Sequence, residues 1–228
     1  MTKENYENIV KVKDELSLFS ETASTVSGMV RLADQYYTDL LREIEQLKRE
    51  AHSIEIGDYE QWTNGNAIVY LLEQISSKST LQIEEQKKSY VTALAGALKD
   101  IESSYEVPAI MIAGIAYMEF GGDPPIFDYA AYTWRTILQD DPTGVLLDRP
   151  RSTTSFGNIS MQLRRAAEVL HFYGELDSKL DKALVEVLNN DKTLLILVAR
   201  HLKDLKNIDF PDKRATELTN EEMAVVVG

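Results

Sequence analysis

An apolar segment near the middle of the chain, VPAIMIAGIAYMEFGGDP from Val107 to Pro124, limits the possible folds more than any other stretch. Pro108 suits the first turn of a helix, and the residues from Ile110 to Ala116 are apolar nearly all round. A helix that is hydrophobic on every side is buried inside its protein. Gly121 and Gly122 then stop the helix. We therefore expect a central helix with the rest of the chain around it.

One acid, Glu119, lies at the C-terminal end of this apolar helix. Burial would disfavour the charged form of its carboxyl group and raise its pKa. A raised pKa is what a general acid needs to work near neutral pH. The alternative is a solvated surface carboxylate, which the helix dipole disfavours at this end. Glu119 is therefore the candidate catalytic acid.

The rest of the chain predicts an all-α fold, with no convincing β-strand and no internal repeat. Apolar residues at helical spacing predict these helices: 1–52, 67–75, 81–101, 107–119, 129–138, 158–173, 177–189, 191–205 and a last one capped by Thr219. The segment 123–128, DPPIFD, predicts a rigid turn, and 139–155 predicts a long loop of the kind that is often functional. We expect an acidic helical N-terminal region over 1–57, as a hairpin or bundle, and one domain over 58–228.

Composition excludes several classes of site and partner. The chain has no cysteine, which excludes disulfides and thiolate metal sites. Its net charge of -13 opposes binding to nucleic acids and to anionic membrane surfaces. The longest apolar run, Val107 to Met118, is too short to span a bilayer. His52, His171 and His201 lack paired-ligand spacing and no Gly-rich phosphate loop is present, so no metal or cofactor is predicted.

Three motifs follow one another in the second half of the chain. The apolar helix ends in Glu119 and is followed by Gly-Gly-Asp-Pro; the segment SFGNISMQL, 155–163, then opens a helix; and LTNEEMA, 218–224, comes last. The order, spacing and helical context of these motifs resemble those of the lysozyme-like superfamily, in particular lytic transglycosylases and goose-type lysozymes. The resemblance covers roughly residues 81–228.

The resemblance implies that Glu119 is the catalytic acid and that Met161 and Gln162 form the wall of a glycan cleft. The residues that it suggests for substrate binding are Ser155, Gly157, Met161 and Gln162, with Tyr132 as an aromatic candidate. Two of them have a simpler alternative role: Gln162 as a buried amide that holds a loop, and Tyr132 in core packing.

A lysozyme-like site would cleave the MurNAc–GlcNAc backbone of peptidoglycan, with Glu119 protonating the glycosidic oxygen. A second carboxylate could hold a water for inverting hydrolysis, which needs a carboxyl separation of roughly 6.5–9.5 Å. The candidates are Asp128, Asp140 and Asp141, although Asp128 could instead cap the predicted helix at Tyr129. Without a second acid, the sugar's own 6-hydroxyl can close an anhydro ring, as in lytic transglycosylases. The sequence leaves both outcomes open.

The predicted function is therefore a muramidase or lytic transglycosylase. The N-terminal sequence has no apolar core of a signal peptide, which suggests an antibacterial effector toxin or a phage-type lysin. We expect synthesis in the cytoplasm, action in the periplasm or cell wall after specialised export or lysis, and an inhibitor protein that occupies the Glu119 cleft. The alternative is a non-catalytic helical adaptor of a secretion or phage system. The enzyme predicts Glu119 in a cleft facing 155–162, and the adaptor predicts Glu119 exposed or paired with Arg164 or Arg165.

Overall fold

The computed structural model describes residues 31, 34–61, 63, 65–66, 68–69, 81–121, 125–138 and 150–227. The chain divides into two compact units, residues 1–42 and 43–228. In the first unit the described residues, 31 and 34–42, are helical, and the rest of the predicted N-terminal hairpin or bundle lies outside the described residues. The predicted division at residue 57 stays a prediction.

Most of the described residues are helical, so the all-α prediction is confirmed. The helices are α1 (34–51), α2 (Leu81–Ala93), α3 (Ala95–Tyr105), α4 (Ala109–Glu119), α5 (Pro125–Leu138), α6 (Leu163–Val169), α7 (Ser178–Leu188), α8 (Asp191–Asp209) and α9 (Asn220–Val227). Residues 65–66 and 68–69 are also helical. Two 3₁₀ turns, η1 (Arg151–Thr153) and η2 (Ala215–Glu217), and two short strands, β1 (Ser155–Phe156) and β2 (Met161–Gln162), complete the described elements. None of the described helices has the length and apolarity to cross a membrane.

Several predicted boundaries are wrong. The predicted helix 81–101 is two helices, α2 and α3, which meet at Leu94. The predicted turn over 123–128 is helical from Pro125 onward, because proline suits the first turn of a helix as well as it suits a turn. The predicted helix 158–173 is helical only over Leu163–Val169, because the residues before it form a hairpin.

Helix α4 contacts α2, α3, α8 and α9, but one of its faces is open. Ile110 and Met118 are 69% and 72% exposed, and Gly114 between them has open space around its Cα. The prediction that α4 is buried on all sides is therefore wrong for this face. The more deeply buried helix is α8, whose residues from Thr193 to Ala199 are all buried. It contacts α3, α4, α6, α7 and α9, and so forms the centre of the larger unit.

A small β-hairpin lies between η1 and α6. Strands β1 and β2 are antiparallel, with Ser155 opposite Gln162 and Phe156 opposite Met161. Gly157 opens the connecting turn with φ 79°. The expectation of no β-strand is wrong here, because strands of two residues are too short to show the alternation that predicts a strand.

Candidate functional site

Glu119 is the last residue of α4, and its side chain is exposed. The burial expected for this acid is therefore not found. The buried position is taken by the next residue, Phe120, which is fully buried and whose N–H donates to the Ala116 carbonyl oxygen. The helix thus places an aromatic ring in the core and leaves the carboxylate beside it in solvent.

An aromatic cluster surrounds the end of α4. The Phe120 ring stacks on the ring of Tyr90 from α2, with centroids 4.4 Å apart. Tyr59 lies edge-on to both rings, 4.8 Å from Tyr90 and 6.2 Å from Phe120. Contacts of this kind stabilise aromatic pairs beyond the area they bury. The cluster therefore connects α2 and the end of α4 to the segment that follows α1.

The polar ends of the two tyrosines meet Asp191, the first residue of α8. Tyr90 donates its hydroxyl to Asp191 Oδ1 at 3.1 Å, and the Tyr59 hydroxyl donates to Oδ2. Asn158, in the hairpin turn, donates its amide to Asp191 Oδ1 at 2.9 Å and to the Tyr59 hydroxyl at 3.0 Å. Burial, with the nearby Asp191 carboxylate, raises the pKa of both phenols. Both tyrosines therefore remain protonated donors at neutral pH.

This network brings two of the three sequence motifs together. The residue after Glu119 belongs to the aromatic cluster, and Asn158 belongs to the SFGNISMQL segment. Tyr59 contacts both and lies outside the region that carried the resemblance. The sequence does not point to Tyr59, Tyr90 or Asp191, because no local pattern relates residues separated by 101 or 132 positions.

The predicted substrate-binding residues of the hairpin differ in their exposure to solvent. Gln162 is exposed, Ser155 and Gly157 are half-buried, and Met161 is buried. Met161 therefore packs in the interior, whereas Gln162 offers a polar side chain to solvent. Of this set, Gln162 is the residue best placed for contact with a ligand.

Tyr132 belongs to a second network, around Asp181 of α7. Its ring lies edge-on to Phe156 at 6.0 Å, and its hydroxyl donates to Asp181 Oδ2 at 2.9 Å. Arg151 Nε is 2.7 Å from the same oxygen, and Arg151 also donates to the Leu176 carbonyl oxygen at 2.6 Å. Tyr132 is half-buried, and its hydroxyl already has a protein partner, which agrees with the packing alternative.

Asp181 is fully buried, and no described residue bonds its Oδ1 atom. Burial raises the pKa of this carboxyl group, although Tyr132 and Arg151 oppose the shift. Asp181 is not among the acids predicted from the sequence. A usable signal was present, because Asp181 lies in the first turn of α7 among its buried residues, Leu180, Leu184, Val187 and Leu188.

The remaining predicted residues are the candidate second carboxylates and the capping residues of the last helix. Asp128 is half-buried within the first turn of α5, so it does not cap a helix beginning at Tyr129. Asp140 and Asp141 lie outside the described residues. The predicted capping box at α9 is confirmed: the Thr219 N–H donates to Glu222 Oε2 at 3.0 Å, and the Glu222 N–H donates to Thr219 Oγ1 at 3.3 Å.

Comparisons with known proteins do not assign this site. No protein-family model, curated protein or solved structure matches the chain. Among the described residues, no group of three or more histidine, aspartate or glutamate side chains is arranged to hold a metal ion. The side chains at the end of α4 and in the hairpin therefore carry the functional argument.

The Asp191 network predicts a stability effect. Asp191→Ala would leave the Tyr90 hydroxyl, which is fully buried, without its acceptor. We expect the free energy of unfolding to fall by about 1–3 kcal/mol, the cost of a buried donor left unpaired. Urea denaturation of the variant and the wild type measures the difference.

Tyr90→Phe supplies the matched control, because it removes the hydroxyl that needs an acceptor. In the Asp191→Ala, Tyr90→Phe double variant, part of the loss should be recovered. A single Asp191→Ala variant within about 0.5 kcal/mol of the wild type, the range of ordinary surface substitutions, would show that the network contributes little.

Proposed function

We propose that this chain cleaves the glycan strands of peptidoglycan, with Glu119 as the acid that protonates the glycosidic oxygen. The observation that supports this most is the connection from Phe120 through Tyr59 to Asn158. It links the end of the Glu119 helix to the turn of the segment that resembles a glycan-cleft wall. The choice of glycan as substrate rests on that resemblance.

Because Glu119 is exposed, the bound substrate itself must shield the Glu119 carboxyl group from water. A general acid must carry a proton when it reacts with the substrate. A sugar ring that covers Glu119 would remove its solvent and favour the protonated form. Binding and activation of the acid are therefore coupled in this proposal. The exposed Gln162 amide provides a donor and an acceptor for sugar hydroxyl or acetamido groups.

The reaction after protonation follows one of two routes. With a water held by a second carboxylate, Asp128 or Asp140, the product is a reducing-end muropeptide and the enzyme is a muramidase. With attack by the sugar's own 6-hydroxyl, the product is an anhydro-muropeptide and the enzyme is a lytic transglycosylase. In either case the chain acts in the periplasm or cell wall, and a cell that makes it as an antibacterial toxin needs an inhibitor protein at the Glu119 site.

Digestion of purified peptidoglycan, with mass spectrometry of the products, tests the proposal. We expect Glu119→Gln to lower the rate of product release by about 10²–10⁴-fold, the usual contribution of a general acid. Glu55→Gln is the matched control, because Glu55 is also exposed but lies outside the segments that carry the resemblance. If folded wild-type protein releases no product, or if Glu119→Gln is as active as Glu55→Gln, Glu119 is not a glycosidase acid.

A second candidate function, a non-catalytic adaptor, is favoured by apolar surface. The large exposed apolar side chains on α4 and α5 are Ile110, Met118, Ile126, Phe127, Tyr129, Trp134 and Ile137. Large apolar side chains exposed on a helix surface favour a protein interaction site where they lie together. Of the adaptor's two alternatives for Glu119, exposure is found, whereas pairing with Arg164 or Arg165 has no support, since each of these arginines is bonded to Glu168. The digestion assay separates the two functions.

A further inference from the structure

A small basic pocket lies near the end of α4 that is opposite to Glu119. It has a volume of about 290 Å³, and the charged side chains in its wall are Lys203, Lys206, Lys213, Arg214, Glu106 and Asp212. Glu106 precedes α4, whereas Glu119 ends it, and the helix between them is ~16 Å long at 1.5 Å per residue. This pocket is therefore separate from the candidate glycan site.

Three of the four cations in the wall have carboxylate partners. These pairs are Lys203 with Glu106 at 3.8 Å, Lys213 with Glu222, and Arg214 with Glu217 at 2.9 Å from Nε. All three are at least partly exposed, where ion pairs are weak and their members can exchange partners. Together with these acids, the three cations form a rim of mixed charge around the pocket.

Lys206 is different from the other three. It is only 7% exposed, and within the described part of the chain no carboxylate oxygen lies within 4.0 Å of its Nζ. Nζ donates one hydrogen bond, to the Lys213 carbonyl oxygen at 2.7 Å. An ammonium group has three donors, so this bond satisfies one of them. A buried charge without a counter-ion is costly, and Lys206 is one of the residues that line the pocket.

We propose that this pocket binds a phosphate group, with Lys206 as the buried counter-charge. A tetrahedral oxyanion fits the volume, and it would accept the remaining Lys206 donors and draw on Lys213 at the rim. Because the chain as a whole carries a net charge of -13, long-range attraction does not assist binding. Recognition therefore depends on local donors, and it does not depend on the glycan-cleaving activity or on Glu119.

The simpler role for Lys206 is structural. It lies in the last turn of α8, where a cation is favoured by the helix dipole, and its bond to Lys213 holds the turn that follows. That role needs one donor and predicts no ligand. The phosphate site predicts saturable binding of phosphate, so a binding titration distinguishes the two roles.

Titration of the ¹⁵N-labelled full chain with inorganic phosphate, at constant ionic strength, tests the site. We expect saturable shifts of the amide signals of Glu106 and residues 203–215, with no such saturation by chloride. Lys206→Met should raise the dissociation constant for phosphate by about tenfold or more, as expected for loss of a hydrogen bond to a charged group. Lys203→Met, which removes a rim charge that Glu106 already pairs, should change it by less than about threefold.

Failure of the wild type to show saturable shifts, or shifts that map elsewhere, would overturn the site, as would equal binding by Lys206→Met. The wild-type map decides this even if Lys206→Met does not fold, and Lys206→Arg, which retains the charge, should retain binding. A parallel titration with phenyl phosphate identifies the source of the group. Equal affinity indicates a phosphate monoester as the ligand, and much weaker affinity indicates the free ion.

Discussion

Replacement of Gly157 by alanine is expected to lower the free energy of unfolding by about 3–5 kcal/mol, from left-handed backbone strain and overpacking together. Gly157 has φ +79°, a conformation that residues with a Cβ rarely adopt. An added Cβ would lie 2.0 Å from the Leu188 carbonyl oxygen and 2.8 Å from Leu194 Cδ2. The first of these neighbours is backbone at the end of α7, so relief requires the hairpin to move away from α7.

Urea denaturation measures this effect, and Gly114→Ala provides a matched control. Gly114 is helical, and no atom lies within 4 Å of its added Cβ. Alanine there should raise stability by up to about 1 kcal/mol through helix propensity. A Gly157→Ala variant that loses less than about 1 kcal/mol, the average effect of a point substitution, would mean that the hairpin is not held closely against α7.

Replacement of Arg151 by methionine is expected to lower the free energy of unfolding by about 3–5 kcal/mol at pH 7, as when one partner of a buried ion pair is removed. The Asp181 carboxylate is fully buried and would lose the donor at 2.7 Å. The Leu176 carbonyl oxygen would lose its donor at the same time. Thermal or urea unfolding of the two proteins measures the difference.

The pH dependence of this loss follows from Asp181. Because burial raises its pKa in the folded protein, the folded state holds the proton more tightly than the unfolded state. The contribution of Asp181 to stability is therefore fully present below the unfolded carboxyl pKa and is lost as pH rises through the folded pKa. Removal of Arg151 removes a positive charge that opposes the raised pKa. The loss caused by Arg151→Met should accordingly be smaller near pH 5 than at pH 8.

Asp181→Asn separates this charge effect from loss of packing. The amide cannot ionise but keeps an oxygen for Tyr132 and Arg151, so Arg151→Met should cost less in the Asp181→Asn background, and that cost should not change between pH 5 and pH 8. A loss in the single Arg151→Met variant that is equal at both pH values would show that the buried charge of Asp181 is not its cause.

Local signals predicted the helices well where apolar spacing was regular. The α7 and α8 helices were expected at 177–189 and 191–205, and they are found at Ser178–Leu188 and Asp191–Asp209. The capping box of Thr219 and Glu222 was also predicted, because its two hydrogen bonds join residues only three positions apart. Periodicity and capping act within a few residues, so one sequence is enough to detect them.

The sequence by itself determined that this is an all-α chain without cysteine, with a strongly acidic balance and with Glu119 at the end of an apolar helix. Only the tertiary structure decided that one face of that helix is open, that Glu119 is exposed, and that Asp181 is buried. It also decided that Tyr59 and Asn158 both donate hydrogen bonds to Asp191. These features depend on how distant elements pack against one another, and apolar spacing within a helix does not specify which neighbour will cover each face.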